Sequence, residues 1–384
     1  MKKQQQMPIG KVNYQFKILY AIGVCMVVSG HCGNSISLFR EFFEPYAFHL
    51  GMFVFASGYF YKEINEKNIR TYIIKKIKAL IIPLYLWNFF YAIIVYISSL
   101  IGFTIGVGGE GVFEKLFLLP IKNGHQFVYN MGGWFVVPLF MIEIFNVFFR
   151  KICDFLDEEK KEIVNITFGI MAGFVGVYLS NAGYNYDWWL VLTRMLCFMP
   201  FYVSGFFYHK YLEEIDNCNN LIYFSIILLI NLILSIHHGG IYAFTQAWCN
   251  YGGTNPVIVY MIGFLAIAFW LRISRILTPA LGKSRYINLI ANNAYSIMIN
   301  QFLGFMIIKM IFSCICRQTI FGRNFDYFAY HTDIYYYYFP KGLAQTQIIY
   351  MFFGIVVPIW IQKFLDKFSA CLKIAIADMK NFEL

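Results

Sequence analysis

The sequence predicts an all-α integral membrane protein of about ten transmembrane helices, with both termini on the cytoplasmic side. Three observations carry this. Of 384 residues, 59% are hydrophobic and only 14% charged, whereas a soluble domain needs roughly 25% charged residues to cover its surface. A water-soluble enzyme is therefore excluded. Ten apolar runs follow one another, each near the ~20 residues that a bilayer crossing requires. The basic residues also sort by side. An inside N-terminus places 23 of the 31 Lys and Arg in cytoplasmic segments and 6 in outer ones, with Arg194 and Lys309 inside spans, as the positive-inside rule demands.

The runs are approximately 17–37, 43–61, 79–103, 133–149, 163–180, 188–208, 221–236, 256–271, 286–312 and 346–362. The start, MKKQQQMPIGK, is basic and lacks a small-residue cleavage site after a short apolar core, so the first run is expected to stay as a membrane helix. Polar segments such as 62–78 and 150–162 separate later spans. The third and ninth are long enough to tilt or to run into loops. Trp134 tops the fourth and Trp188-Trp189 the sixth, at the level of an aromatic belt. No Gly-Pro-rich linker divides the chain, so residues 1–384 read as one membrane-embedded domain with its core at about 14–365. The aromatic stretch Asp333 to Pro340 suits an interface or stacking on a sugar ring. Ser57-Gly58-Tyr59-Phe60-Tyr61-Lys62 is echoed by Ser204-Gly205-Phe206-Phe207-Tyr208-His209-Lys210, each closing a span on the inner side. Small residues there permit close helix packing. Nine Cys without a C-x-x-C pair give neither a metal site nor a disulfide framework. The net charge of +10 belongs to topology, not to nucleic acid.

Ionisable residues inside spans are costly and mark function by default. At 1.5 Å per residue, His31 lies ~21 Å up the first span, ~9 Å below the outer edge of a 30 Å core. His49, Arg194 and Asn300, with Gln301 beside it, fall at the same level on three other spans. Glu143 and Asn88 lie deeper, near mid-membrane. Each has a plainer reading. A membrane His serves as a helix-to-helix hydrogen bond, Arg194 pairs with Glu143 as readily as it holds an anion, and Asn300 and Gln301 act as packing groups. Arg70, Lys75, Lys76 and Lys78 form a basic cluster at the inner mouth of the third span, which topology explains and which would also suit phosphates.

Several segments, in order, resemble signatures of the membrane acyltransferase family 3. Ile22 to His31 is similar to its first-helix run ending in His, and Phe48 to Phe60 to its second-helix F-x-F-x-SGY ending. Arg70 to Lys78 before Leu80-Ile81-Ile82-Pro83 resembles its basic stretch and L-x-x-P helix start. Gly133-Trp134-Phe135 resembles its tryptophan entry. Arg194 to Gly205 resembles its R…PFY-x-x-G span, and Ala291 to Gln301 its late N-T-Y-S-I-M motif. The resemblance covers about residues 14–365. Lys17 and Tyr20 stand where many members carry Arg, and Asn300 where a His is common.

The resemblance implies O-acylation of a hydroxyl on an envelope or exported carbohydrate, or a lipid-linked glycan, with acetyl-CoA as co-substrate and no permanently bound cofactor or metal. It makes His31 the general base or transient acyl carrier, with His49 as a second catalytic candidate. Arg194 would steady the oxyanion or grip CoA phosphates. Arg70, Lys75, Lys76 and Lys78 would attract those phosphates, and Trp134, Asn300, Gln301 and Glu143 would meet substrate. A neutral His suits the removal of a hydroxyl proton near pH 7. The expected setting is the cell (plasma or inner) membrane, crossed many times. The competing reading is a carrier or flippase for a polar or lipid-linked solute, for which the expected repeat symmetry is missing.

Overall fold

The computed structural model describes residues 12–33, 40, 42–318 and 324–382, with side chains to Cys371. The N-terminal reading, with Lys2, Lys3 and Lys11, lies outside the described residues, as does Arg323. The described chain is helical with no strand. The helices are α1 (Tyr14–His31), α2 (His49–Tyr59), α3 (Ile69–Leu100), α4 (Met131–Phe155), α5 (Glu158–Asn181), α6 (Asp187–Leu212), α7 (Asn220–His238) and α8 (Pro256–Leu281). They continue as α9 (Arg285–Asn292), α10 (Ala294–Gln318), α11 (Tyr327–Thr332) and α12 (Thr346–Phe382).

Eight of these, α3 to α8, α10 and α12, are long and apolar enough to cross a membrane among the described residues. The first two sequence runs differ. α1 has 18 residues, but Gln15, Lys17 and His31 dilute its apolarity. α2 has only 11, about 16 Å of helix, because the chain before it turns through a 3₁₀ segment at Pro45–Ala47. Neither needs to meet lipid alone, since both bury most of their residues against other helices. The ninth run is broken at Asn293 into α9 and α10. The third and tenth extend well beyond their apolar parts, to Ile69 and Phe382.

Local chemistry fixes many ends. Asn13, Asn219, Asn255 and Ser284 each accept a hydrogen bond from a backbone N–H of the helix that follows, satisfying donors that a helix start leaves orphaned. Within α3 a π-helical turn at Ile77–Ile81 lets Ile82 N–H reach back to Ile77 O just before Pro83, which lacks its own N–H.

The sequence echo has a structural counterpart. A Cβ on Gly58 would sit 1.9 Å from Tyr202 O, and one on Gly205 would sit 1.9 Å from Phe55 O. Each glycine thus meets the residue three before its counterpart, so α2 and α6 cross backbone to backbone. At the same, basic end of the bundle, Arg150 is 1% exposed. Its guanidinium makes two 2.7 Å bonds to Glu162 and one of 2.6 Å to Glu66. Lys161 joins Glu66 to Asp154, and Lys210 joins Glu63, Glu158 and Glu162. This lattice ties the segment before α3 to α4, α5 and α6.

Candidate active site

The opposite end holds a cavity of about 280 Å³ lined by His31, His49, His125, Trp134, Trp248 and Tyr335 among others. It is built around the last turn of α1, whose final carbonyls have no partner within the helix. Three separate segments supply donors. Gln347 Nε2 bonds Ser29 O at 3.3 Å, Tyr46 OH bonds Gly30 O at 2.8 Å, and Tyr337 OH bonds His31 O. The terminal turn is held from three directions, and His31 with it.

The His31 ring rests against Phe302 and Tyr46, and its Nδ1 lies 3.3 Å from Gln301 Oε1. The Gln301 amide is oriented by its own Nε2, which donates to Met298 O at 3.1 Å. The atom facing His31 is therefore an acceptor, Nδ1 carries the proton, and Nε2 keeps its lone pair. His49 repeats the arrangement with Nδ1 on Pro45 O at 2.5 Å, and His125 with Nδ1 on Asn123 O at 2.8 Å. All three rings that line the cavity are thus set in the same tautomer. His125 lies in the loop before α4, stacked on Trp248 at 4.7 Å. Burial first, and then the nearby Arg194 charge, lower its pKa to about 4.

Two turns complete the wall. Thr245 and Asn250 exchange backbone hydrogen bonds of 3.0 Å and close the loop that carries Gln246 and Trp248. Gly124, at φ +75°, packs directly on the Trp134 backbone, where a Cβ would come within 2.3 Å of its Cα. A side chain at that position would both strain the turn and push the loop off.

Arg194 stands behind this wall, 1% exposed. Its guanidinium lies 4.4 Å from the Trp134 ring centre and 5.9 Å from that of Trp248. Nε and Nη2 donate to Ala247 O, and Nη1 donates to Asn123 O at 3.1 Å. Arg194 therefore fastens together the two loops that carry Trp248 and His125. It does not pair with Glu143, an alternative the sequence left open. Glu143 Oε1 instead accepts from Lys76 at 2.5 Å and Ser57 at 2.6 Å, nine residues or about 13 Å along α4 from Trp134. Arg70, Lys75 and Lys78 are exposed around Lys76.

Of the residues singled out in the sequence, His31, His49 and Trp134 line one cavity and Gln301 holds His31. Asn300 faces elsewhere, accepting from Tyr91 OH at 2.7 Å and donating to Ser296 Oγ at 3.2 Å. Asn88 holds the helical turn Glu114–Leu118 that precedes α4, donating to the carbonyls of Lys115 and Leu116. Sequence reasoning missed Tyr46, His125, Gln246 and Trp248, and it marked Tyr337 only as part of the aromatic stretch Asp333 to Pro340. His125, Gln246 and Trp248 lie between spans, where periodicity assigns no depth, and Tyr46 lies in a 3₁₀ segment hidden within the second apolar run. The signals that could have found them are an isolated His beside Gly124 and a tyrosine run too dense for a belt alone.

No curated protein and no solved structure matches the chain. The family comparison does match: residues 13–362 fit acyltransferase family 3, described as an acyltransferase domain. That stretch begins at the cap of α1, ends within α12 and takes in every wall of the His31 cavity. The chain thus belongs to the acyltransferase family 3 and is a membrane acyltransferase.

Proposed function

We propose that the protein moves an acetyl or similar acyl group from acyl-CoA to a hydroxyl of an envelope or exported carbohydrate. The donor enters from the cytoplasm, where both termini and the basic end lie, and the acceptor enters the His31 cavity from the outer face of the cell membrane. The observation that carries this reading is the fixed tautomer of His31, whose Nδ1 is tied to Gln301 so that Nε2 is the basic nitrogen.

In this reading His31 Nε2 takes the proton of the acceptor hydroxyl as its oxygen attacks the thioester carbonyl. The tetrahedral intermediate collapses, the C–S bond breaks, and the imidazolium returns its proton to the leaving thiolate. Trp134, Trp248 and Tyr335 offer flat apolar faces to a sugar ring. At about 280 Å³, near the ~300 Å³ lower bound of ligand pockets, the cavity suits one ring and not a polymer segment. Arg194 acts by holding the Asn123 and Ala247 loops and by placing a positive charge behind Trp134, where it favours a developing oxyanion. His49, on the same cavity, is the second base within reach of an acceptor. Arg70, Lys75 and Lys78 receive the donor's phosphates.

The test is incubation of membranes with labelled acetyl-CoA, followed by isolation of labelled carbohydrate. The wild type labels it, and His31→Ala, folded and present at equal level, does not. An active His31→Ala variant overturns the role of His31, and absence of label with wild type overturns the donor assignment.

A further inference from the structure

Glu143, Asn146 and Arg150 lie on one face of α4, three and four residues apart. Arg150 has its partners in full, but the other two do not. Glu143 Oε2 and Asn146 Oδ1 are buried and accept no hydrogen bond, in residues only 1% and 2% exposed. A buried carboxylate oxygen without a donor is costly. Ser57 and Lys76, which satisfy the other Glu143 oxygen, are half-buried, as are Tyr20 and Phe53, whose rings meet between α1 and α2. Lys76, the half-buried partner of Glu143, lies between the exposed Lys75 and Lys78 in sequence, which sets this level next to the basic end.

The geometry points to these two oxygens as a binding site for an extended ligand that donates two hydrogen bonds in succession. Resting on the acyl-CoA reading above, we assign them to the two amide N–H groups of the donor's pantetheine arm. Three residues of helix separate the acceptors by about 4.5 Å along the axis. The two amide nitrogens of the arm, on either side of a β-alanine unit, are about 5 Å apart when extended. Asn146, nearer the basic end, meets the amide closer to the phosphates, and Glu143 meets the amide closer to sulfur. The sulfur then stands about one helical turn above Glu143, on the line to Trp134 two and a half turns up. The site is a holding point on the donor's route, below the reacting position at His31.

The experiment uses the purified full-length protein and two probes, CoA and adenosine 3′,5′-bisphosphate, which keeps the nucleotide and lacks the arm. Wild type binds CoA at least tenfold more tightly. Asn146→Leu weakens CoA binding about fivefold and Glu143→Gln about tenfold, with binding of the bisphosphate unchanged. Asn146→Asp, which keeps an acceptor oxygen in place, retains the CoA preference. Variants that keep the full preference overturn the proposal and leave the two oxygens to bound water. Equal losses for both probes also overturn it, as damage to the fold. If wild type binds neither probe, the acyl-CoA reading itself falls, a result distinct from the other two.

Discussion

Replacing Gln301 by Leu removes the acceptor that fixes the His31 tautomer and little else from the cavity, because Gln301 is fully buried behind the ring. The lost contact is a 3.3 Å bond between neutral groups, with a net worth of about 1 kcal/mol. Leaving Nδ1–H buried without a partner costs ~1–3 kcal/mol. The ring escapes that cost by moving its proton to Nε2, the nitrogen meant to act as base. A bias of ~1.4–2.7 kcal/mol toward the wrong tautomer or orientation corresponds to a fall of about 10- to 100-fold in kcat. The donor KM stays as in wild type, since no donor contact changes. Initial rates of acetyl transfer at varied acetyl-CoA measure both quantities. Gln301→Glu keeps an oxygen at the position and recovers part of the loss. A Leu variant with wild-type kcat, or one whose defect lies wholly in the donor KM, refutes the orienting role.

Other substitutions probe the scaffold. Arg150→Ala leaves the buried Glu66 and Glu162 with only Lys161 and Lys210 as cations, so the loss of stability falls at the low end of the ~3–5 kcal/mol for a broken buried pair, read as a lower melting temperature in detergent. Gly58→Val or Gly205→Val drives a side chain into a backbone carbonyl and abolishes the folded protein, read by size-exclusion recovery. His125 is held neutral by burial and Arg194, with a pKa of about 4 against an unfolded value of 6.5. Its folded-state pKa is depressed, so protons bind the unfolded chain preferentially. Stability conferred by this group is complete above pH 6.5 and is lost progressively as pH falls toward 4. Melting curves between pH 7.5 and 5 should therefore decline less steeply in His125→Gln than in wild type.

Hydropathy and charge placed most helices because a span must be apolar over a fixed length, and a length is readable from one sequence. α2 escaped this logic. Buried inside the bundle, it need not match the bilayer, and its run of apolar residues conceals a helix of 11. The depth reckoning that put His31, His49 and Arg194 at one level used only the rise per residue, and these residues do gather at one end of the bundle. Rise alone carries no direction around the helix. Arg194 thus turned out to face the Ala247 and Asn123 carbonyls, and Asn300 to face Tyr91. The loop contributions of His125 and Trp248 were invisible for a different reason. Their positions depend on two turns, at Gly124 and at Thr245–Asn250, that are fixed only by contacts distant in sequence.

The meeting of Gly58 with Tyr202 and of Gly205 with Phe55 also limits how the protein can move. Where two backbones touch, no layer of side chains remains to slide, so α2 and α6 can change their relation only by rotating about that point. His49 sits nine residues from Gly58, a lever of about 13 Å. A rotation of about 10° at the crossing would swing His49 by roughly 2 Å relative to α6, enough to make or break a hydrogen bond in the cavity. The pivot lies beside the Lys210 ion lattice, so charge changes at the basic end have a mechanical route to the histidines at the other.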